Sequence, residues 1–562
     1  MRPAAAAAVV LAALLLLAPA ADAASPTTTT AAPPSTAQAT STATDPNAVV
    51  QPPTLTTPPA GHRLSGRAAL HIADGVPKIV ALLRRHPNAT RQAFLKGSDR
   101  WQVSYYQPAD KEIGQVIIWD PTGKVLEAWT GFQVAWTMAR GYPGAFGRKA
   151  ASLWVWLPLL ALFVLPFVDV RRPLRMRHLD LLVLAALSIS LAFFSHGKIG
   201  LSVPLAYPVL VYLLARMLAI GLRRRRDPPA QPVKLLVPAR WLAVGVVFLV
   251  GFRVGLNLVN SNVIDVGYSG VIGAHKILHG QALYGHFPKD NPHGDTYGPV
   301  NYLAYVPWVA MLGWSGHWDD LPAAHGAAIT FDLATLLVLW LLGRRLGGPT
   351  LAWALAWAWV AYPFTLFVSN SNANDSLVAL LVSLALFAVA SAPRRGGTIA
   401  LAGLAKFAPL GMIPLLLWGG GPPGRRAALR YAAGLVVAAG AALGIVALTS
   451  GLDGLWSHTL GYQAKRGSPF SIWGLWRWTG APQIAVQAGA IVLALTLALV
   501  SRGRDVVAVA ALGAAVLIAL QLGITHWFYL YVVWFFPLVM VAVLAPGAAR
   551  STRPAAAPVP SG

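Results

Sequence analysis

From Ala151 onward the chain is a succession of apolar runs separated by short basic segments. Each run approaches the roughly 20 residues that a helix needs to cross a bilayer. Backbone polar groups in hydrocarbon must pair within their own segment, so such runs fold as helices. Candidate spans are 151–169, 179–195, 200–220, 238–258, 323–343, 350–369, 376–392, 427–450, 482–501, 505–524 and 527–546. Two further apolar segments are interrupted: 298–314 by Pro307, and 398–418 by Lys406, Pro409 and Pro414. Only 11% of the 562 residues are charged, against roughly 25% in a soluble chain. A formal net charge of +24 would suggest nucleic acid in a soluble protein. Here the basic residues sit between apolar runs, as membrane topology requires, and no nucleic-acid partner is expected. The absence of cysteine excludes disulfides, thiolate nucleophiles and Cys-ligated zinc.

The N-terminal part differs. Arg2, the Ala/Val/Leu run 4–17 and Ala21-Asp22-Ala23 read as a signal peptide over 1–23. Residues 24–60, rich in Thr, Ala, Pro and Ser, cannot bury enough apolar surface to offset ordering entropy and are expected to be a disordered linker. Residues 61–146 predict a small α+β unit. A helical pattern (Ile72, Val76, Ile79, Leu82, Leu83) precedes the strand-like runs 101–106, 115–120 and 124–130, with a turn at Asp120-Pro121-Thr122-Gly123. Its W-x-V and V-x-x-x-D-x-x-T-G-K-V patterns resemble a PepSY-type domain, which implies a binding or inhibitory module. The predicted fold class is thus an all-α polytopic membrane protein of about eleven spans plus broken segments, with a small extracytoplasmic α+β domain.

With that domain outside, a topology in which 298–314 lies flat and 398–418 forms a hairpin puts every basic cluster inside. These are Arg171–Arg177, Arg223–Arg226, Arg344/Arg345, Arg394/Arg395, Arg425–Arg430, Arg502/Arg504 and Arg550/Arg553. A thirteen-crossing alternative would put two Arg pairs outside. The preferred topology gathers 259–297, 370–375, the tip near Lys406, and 451–481 with His526 on the outer face of a multi-pass plasma-membrane protein. Ionisable groups there are unfavourable unless used or paired. Asp265 can deprotonate a hydroxyl or cap the helix that follows. Asp375 can cap the next helix, or act as a second carboxylate for sugar hydroxyls or, with Asp265, a divalent cation that nothing in the sequence demands. Lys406 can snorkel or meet a lipid-linked phosphate. Lys465, Arg466 and Arg477 can contact phosphate while Trp473, Trp476 and Trp478 form an interfacial belt. His526 can be structural or hold a phosphate leaving group. His293, Asp295 and Tyr297 are further candidates. No phosphate-binding G-x-x-x-x-G-K-[ST], H-E-x-x-H or G-x-S-x-G motif occurs.

Several motifs recur in order: Asp265, Tyr268, Gly280 and Tyr284; Tyr297 and Pro299; A-G-L-A-K-x-x-P over 402–409; S-P-F-S-x-W-G over 468–474; and H-x-x-Y-x-Y-x-x-W-x-x-P over 526–537. Residues 238–546 therefore resemble the GT-C class of membrane glycosyltransferases, and most resemble the polyprenyl-phosphate-mannose-dependent α-mannosyltransferases of glycosyltransferase family 87. Where that family often carries a Gly-Gln pair, this chain has Asn372-Ala373-Asn374-Asp375. The resemblance implies an inverting hexosyl transfer, mannose first, from a polyprenyl-phosphate donor to a cell-envelope glycan or glycolipid. Asp265 would be the base and His526 would contact the donor phosphate. Lys406, Lys465, Arg466 and Arg477 would hold the lipid phosphate; beside what the resemblance implies, Asp375, Tyr268, Tyr297 and His293 are expected to bind substrate. No metal or cofactor would be required. It leaves residues 151–237 as accessory helices and 547–562 as a cytoplasmic disordered tail. Competing expectations are a transporter or lipid flippase, because broken helices also mark transporters, and a sensor or scaffold acting through the outer domain.

Overall fold

The computed structural model describes residues 49–545 apart from 109–110, 143, 224–232, 319, 420–423 and 503. The expected signal peptide, most of the linker, Arg224–Arg226 and the 547–562 tail lie outside the described residues. The chain forms two compact units, one ending at Tyr142 and one beginning at Pro143.

The first unit is a five-stranded antiparallel sheet in sequential order: β1 (Val49–Val50), β2 (Thr90–Lys96), β3 (Arg100–Gln107), β4 (Lys111–Trp119) and β5 (Lys124–Thr130). Side chains alternate across a strand. Trp101, Val103 and Tyr105 of β3 therefore share one face with Val116 and Ile118 of β4, and all five are fully buried. Opposite Tyr105 the sequence places Gly114. A Cβ there would stand 2.6 Å from Leu82 Cδ2, so glycine lets the helix lie on the sheet. The single helix expected across Ile72–Leu83 is two, Gly66–Asp74 and Pro77–Arg85. Val76, next to proline, is driven to ψ 127, as residues before proline are. The Asp120–Gly123 turn is present, with Gly123 at φ +73. Asp120, 3% exposed, accepts hydrogen bonds from Arg63 N (2.7 Å), Leu64 N (3.0 Å) and Trp101 Nε1 (2.8 Å). Burial pushes its carboxyl up, but those donors prevail and hold it below the ordinary carboxylate value.

Both compositional boundaries of this unit shift. Val49 and Val50 pair with Lys96 and Leu95, and Arg67 N donates to Leu55 O at 2.8 Å. Residues 49–60, expected to be linker, are therefore built into the unit. At the other end, Ala145 O accepts from Asn262 Nδ2 at 2.7 Å and the Phe146 ring lies 4.9 Å from Phe528, so these residues belong to the second unit.

The second unit is helical. Among the described residues, seven of its helices are long and apolar enough to cross a membrane: Met176–Ser195, Ile199–Leu222, Ala239–Val259, Pro322–Ala361, Arg425–Thr449, Ala481–Val500 and Val506–Gly523. Three expected spans are shorter apolar helices, Leu153–Phe167, Asp375–Phe387 and Tyr529–Leu544. At 1.5 Å per residue, the 13 residues of Asp375–Phe387 reach about 20 Å, short of a ~30 Å hydrocarbon core. The expected spans 323–343 and 350–369 lie on the two arms of Pro322–Ala361 and in Pro363–Asn370. The chain leaves helical geometry at Gly347 and at Gly348, φ 73. It doubles back so tightly that a Cβ on Gly343 would lie 2.6 Å from Ala352 Cα. The interrupted segment 298–314 forms Pro299–Leu303 and Val306–Leu312. In 398–418, helix Ala392–Ala405 reverses at Lys406 into the 3-10 turn Ala408–Met412.

Buried charges and hydroxyls cross-brace these helices. Arg253 Nη2 and Nε reach Asp332 Oδ1 (2.6 Å) and Oδ2 (3.1 Å). Arg253 Nη1 donates to Val360 O and Thr365 Oγ1, and Trp359 Nε1 donates to Asp332 Oδ1 at 3.0 Å. Asp180 accepts from Tyr212 OH (2.8 Å) and Arg216 Nε (2.9 Å). Residues 151–222, expected as accessory helices, bond to segments near the other end of the chain. Ser190 and Ser202 both bond the Tyr529 hydroxyl, at 2.7 and 2.6 Å, and Ile472 N donates to Tyr207 OH at 3.2 Å.

Candidate functional site

Asp265 is the first residue of helix Asp265–Leu278, and Ile264 takes the cap position. Ser269 Oγ (2.6 Å) and Asn291 Nδ2 (3.0 Å) bond the Asp265 carbonyl, while Ile264 N donates to Ser371 O at 3.2 Å. These contacts fix the start of the helix and leave the carboxylate to point elsewhere. Asp265 keeps open surface although protein encloses it, so it lines a recess. It lies within electrostatic reach of Arg466, Lys406 and Asp375. Burial pushes its carboxyl above the ordinary carboxylate range, opposed by the Val266 N–H and the two cations.

Lys406 follows the last residue of helix Ala392–Ala405, in extended geometry. It does not snorkel. Its Nζ donates to Asp375 Oδ1 at 2.6 Å, and the two side chains are 9% and 0% exposed. The rings of Tyr297, Tyr531 and Trp534 stand 5.3, 5.5 and 5.2 Å from that nitrogen. An ammonium among ring faces and one carboxylate is compensated without water. Asp375 is not a helix cap; Asn374 holds that place. Trp534 Nε1 shares Asp375 Oδ1 at 2.8 Å.

His526 sits in the segment before the 3-10 turn Tyr529–Tyr531. Its Nδ1 is 2.9 Å from Ser468 Oγ, and its ring lies 5.6 Å from Phe470 and 6.5 Å from Tyr531. Arg466, two residues before Ser468, is half-buried. It lies within electrostatic reach of Asp265, Tyr297, His526 and Tyr531. Five distant segments thus bring Asp265, Tyr297, Asp375, Lys406, Arg466, His526 and Tyr531 together.

No family model matches this chain. Neither the curated proteins nor the solved structures give a match.

Other sequence candidates lie elsewhere. Tyr268 donates to Asp290 Oδ2 at 3.2 Å and stacks on Trp318. His293 is exposed and stacks on Tyr462. Asp295 accepts from Gly285 N at 2.7 Å and pairs with His458 at 2.9 Å. Lys465 and Arg477 are exposed; unlike Arg466, neither is among the charges that act on Asp265. Trp473 is buried against Leu522 O, whereas Trp476 and Trp478 are 44% and 53% exposed, as an interfacial belt requires. Ser468, Tyr531 and Trp534 stand in the motifs over 468–474 and 526–537 but were given no role of their own. Tyr531 and Trp534 carried a usable signal: their i, i+3 spacing puts two aromatics on one helix face. Asp375 Oδ1 already serves Lys406 and Trp534. Among the described residues no three His, Cys, Asp or Glu come together.

The arrangement is chemically asymmetric. An accessible carboxylate with a raised proton affinity lies within electrostatic reach of the Arg466 guanidinium, which is itself within reach of the His526 imidazole. Such a set can take a proton from a hydroxyl and receive negative charge on a leaving group.

Proposed function

We propose that this chain is an integral membrane glycosyltransferase. It transfers a sugar, mannose first, from a polyprenyl-phosphate donor to a glycan or glycolipid of the cell envelope, with its reaction centre on the extracytoplasmic side. What supports this reading is that Arg466 lies within electrostatic reach of both Asp265, about 200 residues before it, and His526, 60 residues after it. The acceptor hydroxyl attacks the anomeric carbon, and Asp265 takes its proton. The carbon–oxygen bond to phosphate breaks, and the electron pair leaves on polyprenyl phosphate. The N-terminal sheet unit is in this reading a PepSY-like binding module. The resemblance of residues 238–546 to GT-C enzymes and the absence of a nucleotide-phosphate loop support the same conclusion.

Membranes carrying wild type or Asp265→Asn, given radiolabelled polyprenyl-phosphate mannose, test it. Wild type labels an acceptor, and Asp265→Asn at equal protein level does not. Full labelling by Asp265→Asn removes it as the base.

The interrupted helices at 299–312 and 405–413 favour a second reading as a transporter or lipid flippase. Uptake of lipid or solute into vesicles without covalent change would select it.

A further inference from the structure

We propose that Lys406 is a positioning residue held behind the wall of the recess by Asp375, and that Arg466 is the cation that meets the phosphate of the lipid-linked donor. This division of labour rests on the transfer reading above.

Lys406 is enclosed. Its ammonium has the Asp375 carboxylate at 2.6 Å on one side and the rings of Tyr297, Tyr531 and Trp534 at 5.2 to 5.5 Å around it. A phosphate could reach Nζ only if a ring moved aside. Asp375, fully buried, would then lose its counter-charge, and a buried carboxylate without a partner is strongly unfavourable. The pair instead has a mechanical role. Asp375 Oδ1 also takes the Trp534 indole N–H at 2.8 Å. Trp534 stacks on Tyr531 at 4.3 Å, and Tyr531 faces His526. Lys406 and Asp375 thereby hold in place the aromatic surface on which His526 rests.

Arg466 is placed differently. It is half-buried in the loop between Leu460–Lys465 and Ile472–Leu475. The same loop supplies Ser468, whose hydroxyl holds His526 Nδ1. Arg466 acts electrostatically on Asp265, Tyr297, His526 and Tyr531 alike. A guanidinium fork matches two phosphate oxygens, whereas an ammonium offers a point charge. As the bond from the anomeric carbon to the phosphate oxygen breaks, the electron pair adds charge to the phosphate facing Arg466, while the acceptor proton goes to Asp265.

The test uses the full chain in membranes, with polyprenyl-phosphate mannose as donor and polyprenyl phosphate as binding probe. Three variants are compared with wild type: Arg466→Gln, Lys406→Met, and Lys406→Met combined with Asp375→Asn. Arg466→Gln is expected to raise donor KM about tenfold or more, the size of a lost charge-assisted hydrogen bond, and to abolish the thermal shift given by polyprenyl phosphate while melting like wild type. Lys406→Met is expected to lower the melting midpoint and kcat with donor KM essentially unchanged, and adding Asp375→Asn is expected to restore the midpoint. The proposal is overturned if the double variant raises donor KM as much as Arg466→Gln, or if Arg466→Gln leaves KM and the thermal shift intact. Absence of sugar transfer by wild type sinks the transferase reading separately. The thermal shift with polyprenyl phosphate then decides Arg466, and recovery of the midpoint in the double variant decides Lys406.

Discussion

Two of the buried ion pairs in the helical unit, Arg253–Asp332 and Lys406–Asp375, differ in how completely their polar atoms are used. Around Arg253–Asp332, Arg253 reaches both carboxylate oxygens, a backbone carbonyl and a hydroxyl, and Trp359 adds a donor to Asp332. Neither side chain leaves a polar atom without a partner. Around Lys406–Asp375 the count is incomplete: Asp375 Oδ2, Ser376 Oγ, Asn374 Oδ1, Asn301 Nδ2 and Tyr305 OH are buried without hydrogen bonds. Unsatisfied buried groups are uncommon, and they gather where strain or function is held. The first pair is a brace. The second lies within electrostatic reach of the Asp265 carboxylate, and the polar atoms beside it lack partners. Both pairs are buried ionisable groups, which in a membrane protein prompt the question of function; unsatisfied neighbours, which call for an explanation of their own, set the second apart.

The contrast can be broken experimentally. Its largest consequence is that Asp265→Asn lowers sugar transfer about 100- to 10,000-fold, the range for loss of a general base, with an unchanged melting midpoint. A fall in the midpoint of similar weight would make Asp265 a brace as well. Next, Arg253→Met leaves Asp332 buried without its cation and destabilises the chain by about 3–5 kcal/mol. Unfolding in detergent measures this, and the surviving folded fraction keeps the wild-type donor KM. Third, because burial raises the Asp265 carboxyl and a base must be ionised, kcat/KM falls with a one-proton limb as pH drops through that raised value. The limb therefore lies above the ~3.9 of a free aspartate. A limb at or below that value contradicts the enclosure of Asp265. The smallest effect is that of Tyr529→Phe, which removes the hydroxyl shared by Ser190 and Ser202 and lowers stability by about 1 kcal/mol, read as a shift in the melting midpoint.

Much of the helical unit was legible because hydropathy fixes where a chain can be buried in lipid. The runs at 179–195, 200–220 and 505–524 became helices with nearly the same limits. The run 376–392 misled, because composition does not distinguish lipid from protein as an apolar surrounding. The helix Asp375–Phe387 is buried in the protein almost throughout. In the first unit, β3, β4 and β5 followed from apolar and aromatic runs with a turn signal between the last two, while β2 was missed because Thr90-Arg91-Gln92 is exposed and polar. In the candidate site, Asp265, Arg466 and His526 were visible as polar interruptions of apolar sequence. The partnership of Lys406 with Asp375 was not, since 31 residues separate them and only the reversal at Lys406 brings them together. Arg253 and Asp332 escaped for the same reason: each lies inside an apolar helix, and nothing local announces its complement.

Tyr529 gives the leading helices a role that their position in the chain conceals. Its hydroxyl is clasped by one serine from each of two consecutive helices, Met176–Ser195 and Ile199–Leu222, three residues beyond His526. A shortened chain beginning near residue 238 would lose that clasp and the Tyr207 anchor of Ile472 together. The imidazole and the loop carrying its serine partner would both come loose from one excision, so the amino-terminal helices are scaffolding for side chains encoded at the far end of the polypeptide.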